Sequence, residues 1–165
     1  MKSTNWLTKV LQNRELRQKK QWEFIARYNS PVLSLTINIP GALKDSSDAR
    51  FIYDKAVEEI DKFAFEVYEK AFTCKDTGYE ALWALHVDAK VLKTLSYQVE
   101  ENHPLGRFMD IDVIGTDKKI LSRDNQRKCY ICKDSAKLCA RSQKHSVKEL
   151  LEYISKTVDD YKSSL

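Results

Sequence analysis

The chain has 165 residues, of which 42% are hydrophobic and 32% charged, and its formal net charge is +4. This length suits one domain with a single core, and the composition excludes a fibrous or disordered chain. The small positive charge suits a phosphate-bearing ligand or an acidic protein partner, but without a concentrated basic stripe it does not predict nucleic-acid binding. No signal-like start and no membrane-length apolar run occur, so we expect a cytoplasmic protein without a membrane partner.

Hydrophobic periodicity predicts the elements of the first two thirds of the chain. A weakly amphipathic helix is expected over residues 5–28, and a strand over 32–39 between two proline-containing turns. Apolar residues three and four apart predict a long core-facing helix over 48–72. A second strand at 79–87 and a shorter helix around 91–99, which must end before a His-Pro pair, complete this part.

The last third of the chain begins with a predicted hairpin, in which residues 107–115 and 118–123 flank a Thr-Asp turn. A short helix is expected through Cys139. Ser-Val-Lys-Glu at 146–149 forms a capping box, which predicts a final helix that ends near Tyr161. Helices and strands in this order predict a single α+β domain over the whole chain, with a mixed sheet and flanking helices.

Two carboxylates, Asp110 and Asp112, lie inside the apolar first strand of that hairpin, where Asp is disfavoured. Because side chains alternate between the faces of a strand, both aspartates share one face with Phe108 and Ile114. They are close enough to bind one Mg²⁺, which uses one or two carboxylates together with waters and phosphate oxygens. A solvated charged face is the alternative, although like charges two residues apart repel each other unless a cation is bound.

Three cysteines and a histidine form a second cluster, with the spacing Cys129-x2-Cys132-x6-Cys139-x5-His145. Three thiols and one imidazole match the ligands of a structural zinc site. Small thiols also pack well in a protein core, and we favour packing over Zn²⁺ here. The four cysteines of the chain are too few for a secreted disulfide framework, and no βαβ setting of a thioredoxin-like redox pair precedes Cys129.

Taken together, the motifs resemble the apo-citrate lyase phosphoribosyl-dephospho-CoA transferase family. The run HPLGRFMDIDVIGTDKKILSR at 103–123, followed by RKCYICKDSAKLCARSQKH at 127–145, carries the resemblance most specifically. RELRQKKQ at 14–21 is similar to the family's Arg-Glu-x-Arg-x-x-x-Gln element, and SLTINIPGALK at 34–44 to its Ser-x-Thr-x-Asn-x-Pro-Gly-x-x-Lys element. These segments cover most of the chain in the expected order, and departures are confined to loops, such as the brief segment 73–80.

The resemblance implies a transferase that moves the phosphoribosyl-dephospho-CoA part of 2'-(5''-triphosphoribosyl)-3'-dephospho-CoA to a serine of the citrate lyase acyl carrier (gamma) subunit, releasing pyrophosphate. It implies Asp110 and Asp112 as catalytic Mg²⁺ ligands, on a strand similar to the metal-binding strand of nucleotidyltransferases. It also implies that Arg107, Lys44 and Arg123 bind the phosphate chain, because guanidinium and ammonium groups suit phosphate oxygens.

For the remaining candidates two interpretations stay open. His103 either accepts the proton of the attacking serine or ends a helix with its ring bonded to backbone. Arg14 and Arg17 either reach the 5'-diphosphate of the donor or are solvated helix charges. Asn38 shapes the exit of its strand and secondarily approaches the substrate.

Three further cations, Arg127, Arg141 and Lys144, are candidates for docking the acidic carrier protein, because opposite surface potentials accelerate encounter. The competing function is a non-enzymatic, zinc-stabilised module that binds a protein or RNA partner through the cysteine cluster. The mild charge and the absence of an aromatic stacking motif argue against RNA.

Overall fold

The structure is a computed structural model that describes residues 2–123 and 125–165, with side chains described from residue 5 onward. It has an α+β fold. Its elements in chain order are α1 (Lys2–Tyr28), β1 (Val32–Ile37), α2 (Ser47–Asp61), β2 (Val67–Lys75), β3 (Gly78–Leu85), α3 (Ala89–Asn102), a 3-10 turn (Gly106–Phe108), β4 (Met109–Ile114), α4 (Ala136–Ser142) and α5 (Val147–Ser164). No helix in the described ranges has the length and apolar character needed to cross a membrane.

The four strands form one sheet in the order β2-β3-β1-β4, and each neighbouring pair is antiparallel. The predicted mixed sheet is therefore wrong. Helix α2 connects β1 to the parallel strand β2, and α3 connects β3 to the parallel strand β4, but another strand lies between the members of each parallel pair. This arrangement is the split β-α-β pattern of a β-α-β-β-α-β fold.

The two faces of the sheet are covered by different helices. Helices α2, α3 and α5 bury one face in the main core, which includes strand residues Leu35, Trp83 and Ile111. Helix α1 covers the opposite face, where Phe24 and Ile25 pack on apolar residues near one end of the strands. The rest of this second face carries polar side chains, and it is there that the candidate site lies.

The predicted helix over 48–72 is correct only in its first part, because α2 ends at Asp61 and residues 67–75 form a strand. Val67 and Ala71 are four residues apart, a spacing that fits both a helical turn and the two-residue period of a strand. The strand is fixed by its hairpin with β3, in which Lys75 pairs with Gly78 across a two-residue turn. Gly78 has φ of +126°, a conformation that favours glycine.

Other predicted elements agree with the structure. Helix α1, strands β1 and β3, helix α3 ending at His103, the short helix through Cys139 and the capping box of α5 are all confirmed. The predicted hairpin after β4 is reduced to a turn with a single bridge between Ile114 and Ile120. Phe108 lies in the 3-10 turn and packs in the main core, so the prediction that it shares a face with the aspartates is wrong.

Strand β4 is an edge of the sheet, and other groups bond its outward backbone atoms. The Ile111 amide donates to the buried carboxylate of Glu100 at 2.8 Å. Arg127 donates to the carbonyl of Met109 at 2.7 Å and lies 2.7 Å from the same carboxylate. The Leu121 amide donates to the carbonyl of Val113 at 2.9 Å. These contacts fix the strand that carries the two aspartates.

Candidate active site

The sheet register places three carboxylates on the face beneath α1. Asp110 lies opposite Thr36 of β1, which in turn lies opposite Glu80 of β3. Asp112 lies opposite Ser34 in the next row. Directly opposed residues project to the same face, and two strand spacings separate the backbones of Asp110 and Glu80 by about 10 Å. The predicted pairing of Asp110 and Asp112 on one half-buried face is confirmed.

Polar side chains of α1 contact this face directly. The amide of Asn13 donates to Glu80 at 2.8 Å, and the guanidinium of Arg17 pairs with the same carboxylate. Gln21 donates to the hydroxyl of Ser34 at 2.9 Å. Positions 13, 17 and 21 are four residues apart, so they lie on one side of the helix. The N-terminal Arg-Glu-x-Arg-x-x-x-Gln element therefore lies against the carboxylate face, and Arg17 is an ion-pair partner within it.

The charge on Asp112 is disfavoured in this setting. Burial, and then the negative charge of Asp110, raise the pKa of Asp112 to about 6, while Lys93 and Arg127 oppose the shift. A bound cation would reduce the repulsion between these two carboxylates, because a nearby positive charge favours the ionised form of both. The residues thus fit a hard divalent ion by their chemistry.

A cavity of about 670 Å³ lies at the end of β1 and beside the 3-10 turn that precedes β4. Asn38 and Arg107 line it, and the backbone amide of Asn38 donates to the carbonyl of Phe108 at 2.8 Å. The Asn38–Phe108 contact is two residues beyond the Thr36–Asp110 pair, so the cavity lies beyond this end of the two strands. Leu150 of α5 also lines the cavity, whereas Asp110, Asp112 and Glu80 do not. A cavity of this volume is large enough for a nucleotide-sized ligand.

Two other predicted phosphate ligands, Lys44 after β1 and Arg14 on α1, are near enough for their charges to interact. The ammonium group of Lys44 donates to the carbonyl of Ile39. Burial, followed by the positive charge of Arg14, lowers the pKa of Lys44. Two neighbouring cations, one of them half-buried, are a suitable setting for an anionic group.

The structure does not bring His103 to the carboxylate face. His103 caps the C-terminus of α3, its Nδ1 accepts the backbone amide of Leu105 at 3.0 Å, and its ring lies 5.3 Å from Tyr161 of α5. Burial lowers its pKa. These contacts belong to the side of the sheet covered by α2 and α5.

Arg123 lies along the outer edge of β4 beside α3. It donates to Glu101 at 2.6 Å, approaches Glu100 at 3.5 Å and stacks on Tyr97 at 4.9 Å. Its Nε and Nη1 atoms are buried and have no hydrogen-bond partner among the described residues. The nitrogen Nη2 is already paired with two acidic residues, Glu100 and Glu101. In this respect Arg123 differs from the other predicted phosphate ligands.

The three candidate docking cations have different surroundings. Arg127 is committed to Glu100 and the β4 backbone, as described above. Lys144 pairs with Asp134 at 2.7 Å. Arg141 is exposed in the last turn of α4.

The cysteine cluster is compact in the structure. One potential ligand atom from each of Cys129, Cys132, Cys139 and His145 lies within 4.8 Å of the other three. The contact with His145 is the main cause that lowers the pKa of Cys132 to about 6, and the hydrogen bond with Cys132 is the main cause that raises the pKa of Cys139 to about 12. The cluster borders the cavity, since Cys129, Cys139 and His145 line it together with Arg107.

Sequence reasoning did not single out Glu80 on the carboxylate face, nor the two α1 residues that bond this face beside Arg17, namely Asn13 and Gln21. Glu80 is a buried acid within the apolar strand YEALWALHV. Like Asp110 and Asp112, Glu80 is recognisable from the sequence, because an acidic residue is disfavoured in such an apolar strand. Asn13 and Gln21 are four residues from Arg17 on either side, and only the position of α1 on the sheet shows their role.

Adjacent carboxylates suited to a divalent ion, and a large cavity lined by arginine and lysine side chains, are typical of an enzyme that acts on a phosphate-bearing substrate. Comparison with known proteins narrows this class. The chain belongs to the apo-citrate lyase phosphoribosyl-dephospho-CoA transferase family, whose model matches residues 5–161.

Similar proteins carry the same name. A probable apo-citrate lyase phosphoribosyl-dephospho-CoA transferase from Vibrio cholerae is 34% identical over 164 residues, which cover 94% of this chain and 92% of the relative. The apo-citrate lyase phosphoribosyl-dephospho-CoA transferase of Citrobacter koseri is 33% identical over 96% of this chain and 91% of its own. That of Escherichia coli O7:K1 is 32% identical over 93% of this chain and 88% of its own.

Proposed function

We propose that this chain transfers the phosphoribosyl-dephospho-CoA group of 2'-(5''-triphosphoribosyl)-3'-dephospho-CoA to a serine of the citrate lyase acyl carrier (gamma) subunit, and releases pyrophosphate. The observation that carries the proposal is the family match over residues 5–161. The reaction takes place in the cytoplasm and needs neither nucleic acid nor a membrane. The shared carboxylate face of Asp110 and Asp112 supports it, because transfer at a phosphorus atom needs stabilisation of phosphate charge.

The proposed chemistry is a displacement at the α-phosphorus of the ribose triphosphate. The serine oxygen forms a bond to that phosphorus, the bond to the β-phosphate oxygen breaks, and the serine proton passes to a base. Strand β4 then serves as a metal-binding strand like that of nucleotidyltransferases, which perform the same attack and expel the same leaving group.

Asp110 and Asp112 are the residues that would hold Mg²⁺. The raised pKa of Asp112 supports this role, because a cation between the two carboxylates would offset their repulsion. The ion would supply positive charge to phosphate oxygens as pyrophosphate departs. Arg107 and Asn38 would orient the donor within the cavity that they line. Lys44 and Arg14 would bind its outlying anionic groups.

His103 is a less suitable proton acceptor than its position in the sequence motif indicates. Its Nδ1 accepts a backbone hydrogen bond, so the neutral ring carries its proton on Nε2. To accept the serine proton, the ring would have to give up its contact with Leu105. In this proposal His103 shapes the turn that leads to Arg107.

Intact-mass measurement of the carrier subunit tests the proposal. The protein is incubated with apo-carrier, the triphosphoribosyl donor and Mg²⁺, and pyrophosphate is measured in parallel. We expect the carrier to gain the mass of one phosphoribosyl-dephospho-CoA group, with equimolar pyrophosphate, and a carrier whose acceptor serine is replaced by alanine to gain none. An unmodified apo-carrier in the complete reaction would contradict the proposal.

A further inference from the structure

The segment that carries the cysteine cluster is built to bring distant positions together. The amide of Cys129 donates to the carbonyl of Asp134 at 2.6 Å, and the amide of Lys133 donates to the carbonyl of Cys129 at 3.0 Å. Lys133 has φ of +64°, which closes this tight turn, and a bridge joins Lys128 to Ser135. The turn therefore presents Cys129 and Cys132 side by side.

Helix α4 begins directly after this turn and supplies the other two members of the cluster. Cys139 lies in its second turn, facing back toward the cysteine pair, with its Sγ 3.3 Å from that of Cys132. The helix ends at Ser142, and its C-cap residue Gln143, with a left-handed φ of +49°, redirects the chain to His145. The turn at Lys133, helix α4 and the turn at Gln143 together bring the three cysteines and His145 into one cluster.

The geometry of that point differs from ordinary packing of thiols in a core. The potential ligand atoms lie within 4.8 Å of one another, so the polar groups face each other and not apolar neighbours. A tetrahedral zinc ion with Zn–S bonds of about 2.3 Å holds its sulfur ligands roughly 3.8 Å apart, which this cluster matches with little movement. The Nε2 atom of His145 is buried and has no hydrogen-bond partner among the described residues. A buried polar atom without a partner is unfavourable, and coordination of a metal ion would satisfy it.

We propose that Cys129, Cys132, Cys139 and His145 bind one Zn²⁺ ion in a closed, structural site. With four protein ligands the site has no open position for catalysis, and binding releases the thiol protons to solvent. The proposal replaces the packed-thiol interpretation that the sequence favoured. It stands apart from the proposed function, because no step of the transfer passes through the zinc ion.

The zinc site would stabilise one wall of the large cavity. Cys129, Cys139 and His145 line the cavity together with Arg107 of the 3-10 turn. Among the described residues between β4 and α5, helix α4 with its seven residues is the only helix or strand. A metal crosslink would therefore supply rigidity that a large apolar core supplies elsewhere.

Metal analysis of the full-length protein is the direct test. Protein purified under reducing conditions, without added metal or chelator, is expected to contain about one zinc per chain. Co²⁺ added to the apo-protein is expected to give the intense thiolate charge-transfer absorption of a tetrahedral site, which Zn²⁺ then abolishes. Protein that lacks zinc and binds neither ion would overturn the proposal, as would native protein with a Cys132–Cys139 disulfide.

Single substitutions identify the ligands, and the chain offers matched controls. Cys129→Ser, Cys132→Ser, Cys139→Ser and His145→Ala are each expected to lose the zinc and to lower the melting temperature by similar amounts. Cys74→Ser and His86→Ala replace exposed residues of β2 and of the segment after β3, and they are expected to retain it. Full zinc content in all four ligand variants would contradict the assignment.

Measurement of reactive thiols in the unmodified protein tests the zinc site without any substitution, so its result does not depend on whether a variant folds. The chain has four free cysteines, of which Cys74 is exposed. With zinc bound, we expect one thiol to react rapidly with Ellman's reagent, and all four to react after a chelator strong enough to remove zinc. Equal reactivity before and after the chelator would refute the zinc site.

Discussion

The carboxyl group of Asp112 is held where its own charge is unfavourable. Its half-buried position and the neighbouring charge of Asp110 both raise its pKa, to about 6. Because the folded-state pKa lies above the ordinary value, the ionised form that dominates at pH 7 lowers the stability of the metal-free protein. A residue that costs stability in the free protein is typical of a site shaped for a ligand.

Neutral substitutions at these two positions separate stability from activity. Asp110→Asn and Asp112→Asn are each expected to reduce transfer at least about a hundredfold, because a neutral amide lacks the charge that Mg²⁺ needs and the phosphate then loses the stabilisation that the ion would supply. In buffer without Mg²⁺ their melting temperatures are expected to equal or exceed that of the unmodified protein. Transfer rates and thermal melting are measured beside Asp159→Asn, an exposed position on α5. Near-normal turnover in either variant would refute the metal assignment.

Helix α1 is attached to the sheet partly by polar contacts that the helix alone would not reveal. Glu80 of β3 is 8% exposed and bonds both Asn13 and Arg17 of the helix. A buried acid with two partners on another element joins the two elements in a defined register, because displacement of the helix leaves the carboxylate unpaired.

Glu80→Gln tests this attachment. Glutamine keeps the size of the side chain but removes the charge that pairs with Arg17, so we expect the free energy of unfolding to fall by about 1–3 kcal/mol. Urea denaturation measures it. The control is Glu66→Gln, which changes an exposed pair with His86 and is expected to alter stability by less than about 1 kcal/mol. Equal effects of the two substitutions would contradict a joining role for Glu80.

The two sides of the sheet contribute unequally to the whole molecule. The main core beneath α2, α3 and α5 is large, whereas the core beneath α1 is a small cluster around Phe24. The position of α1, and with it the side chains over the carboxylate face, therefore depends on few apolar contacts.

Phe24→Ala is expected to lower the free energy of unfolding by about 3–5 kcal/mol, because Phe24 is fully buried and its removal leaves a cavity. Transfer activity at a temperature where the variant remains folded is expected to fall as well, since Arg17 and Gln21 lose their support. Phe72→Ala removes a half-exposed ring that contacts Trp83 and is expected to cost about 1 kcal/mol. Unimpaired stability of Phe24→Ala would contradict the importance of the second core.

Sequence reasoning succeeded where the information was local. The shared face of Asp110 and Asp112, the end of α3 at His103 and the capping box at Ser146 follow from neighbouring residues, and the structure confirms them. The strand at 67–75 was missed because its pairing with β3, and not its own periodicity, decides its conformation. The partners of Glu80 could not be predicted, because they lie more than 60 residues away on α1. The ion pairs of Arg123 likewise depend on how α3 lies along β4.

The bonded edge of β4 limits how another polypeptide can associate with this protein. An open edge invites strand addition by a partner and edge-to-edge aggregation. Here Glu100 bonds the Ile111 amide and Arg127 bonds the Met109 carbonyl, so an incoming strand would first have to displace a buried ion pair. We therefore expect a protein partner, including the carrier subunit of the proposed reaction, not to add a strand at this edge. The same contacts are expected to make this edge resist amyloid-like self-association, even though its strand is rich in apolar residues.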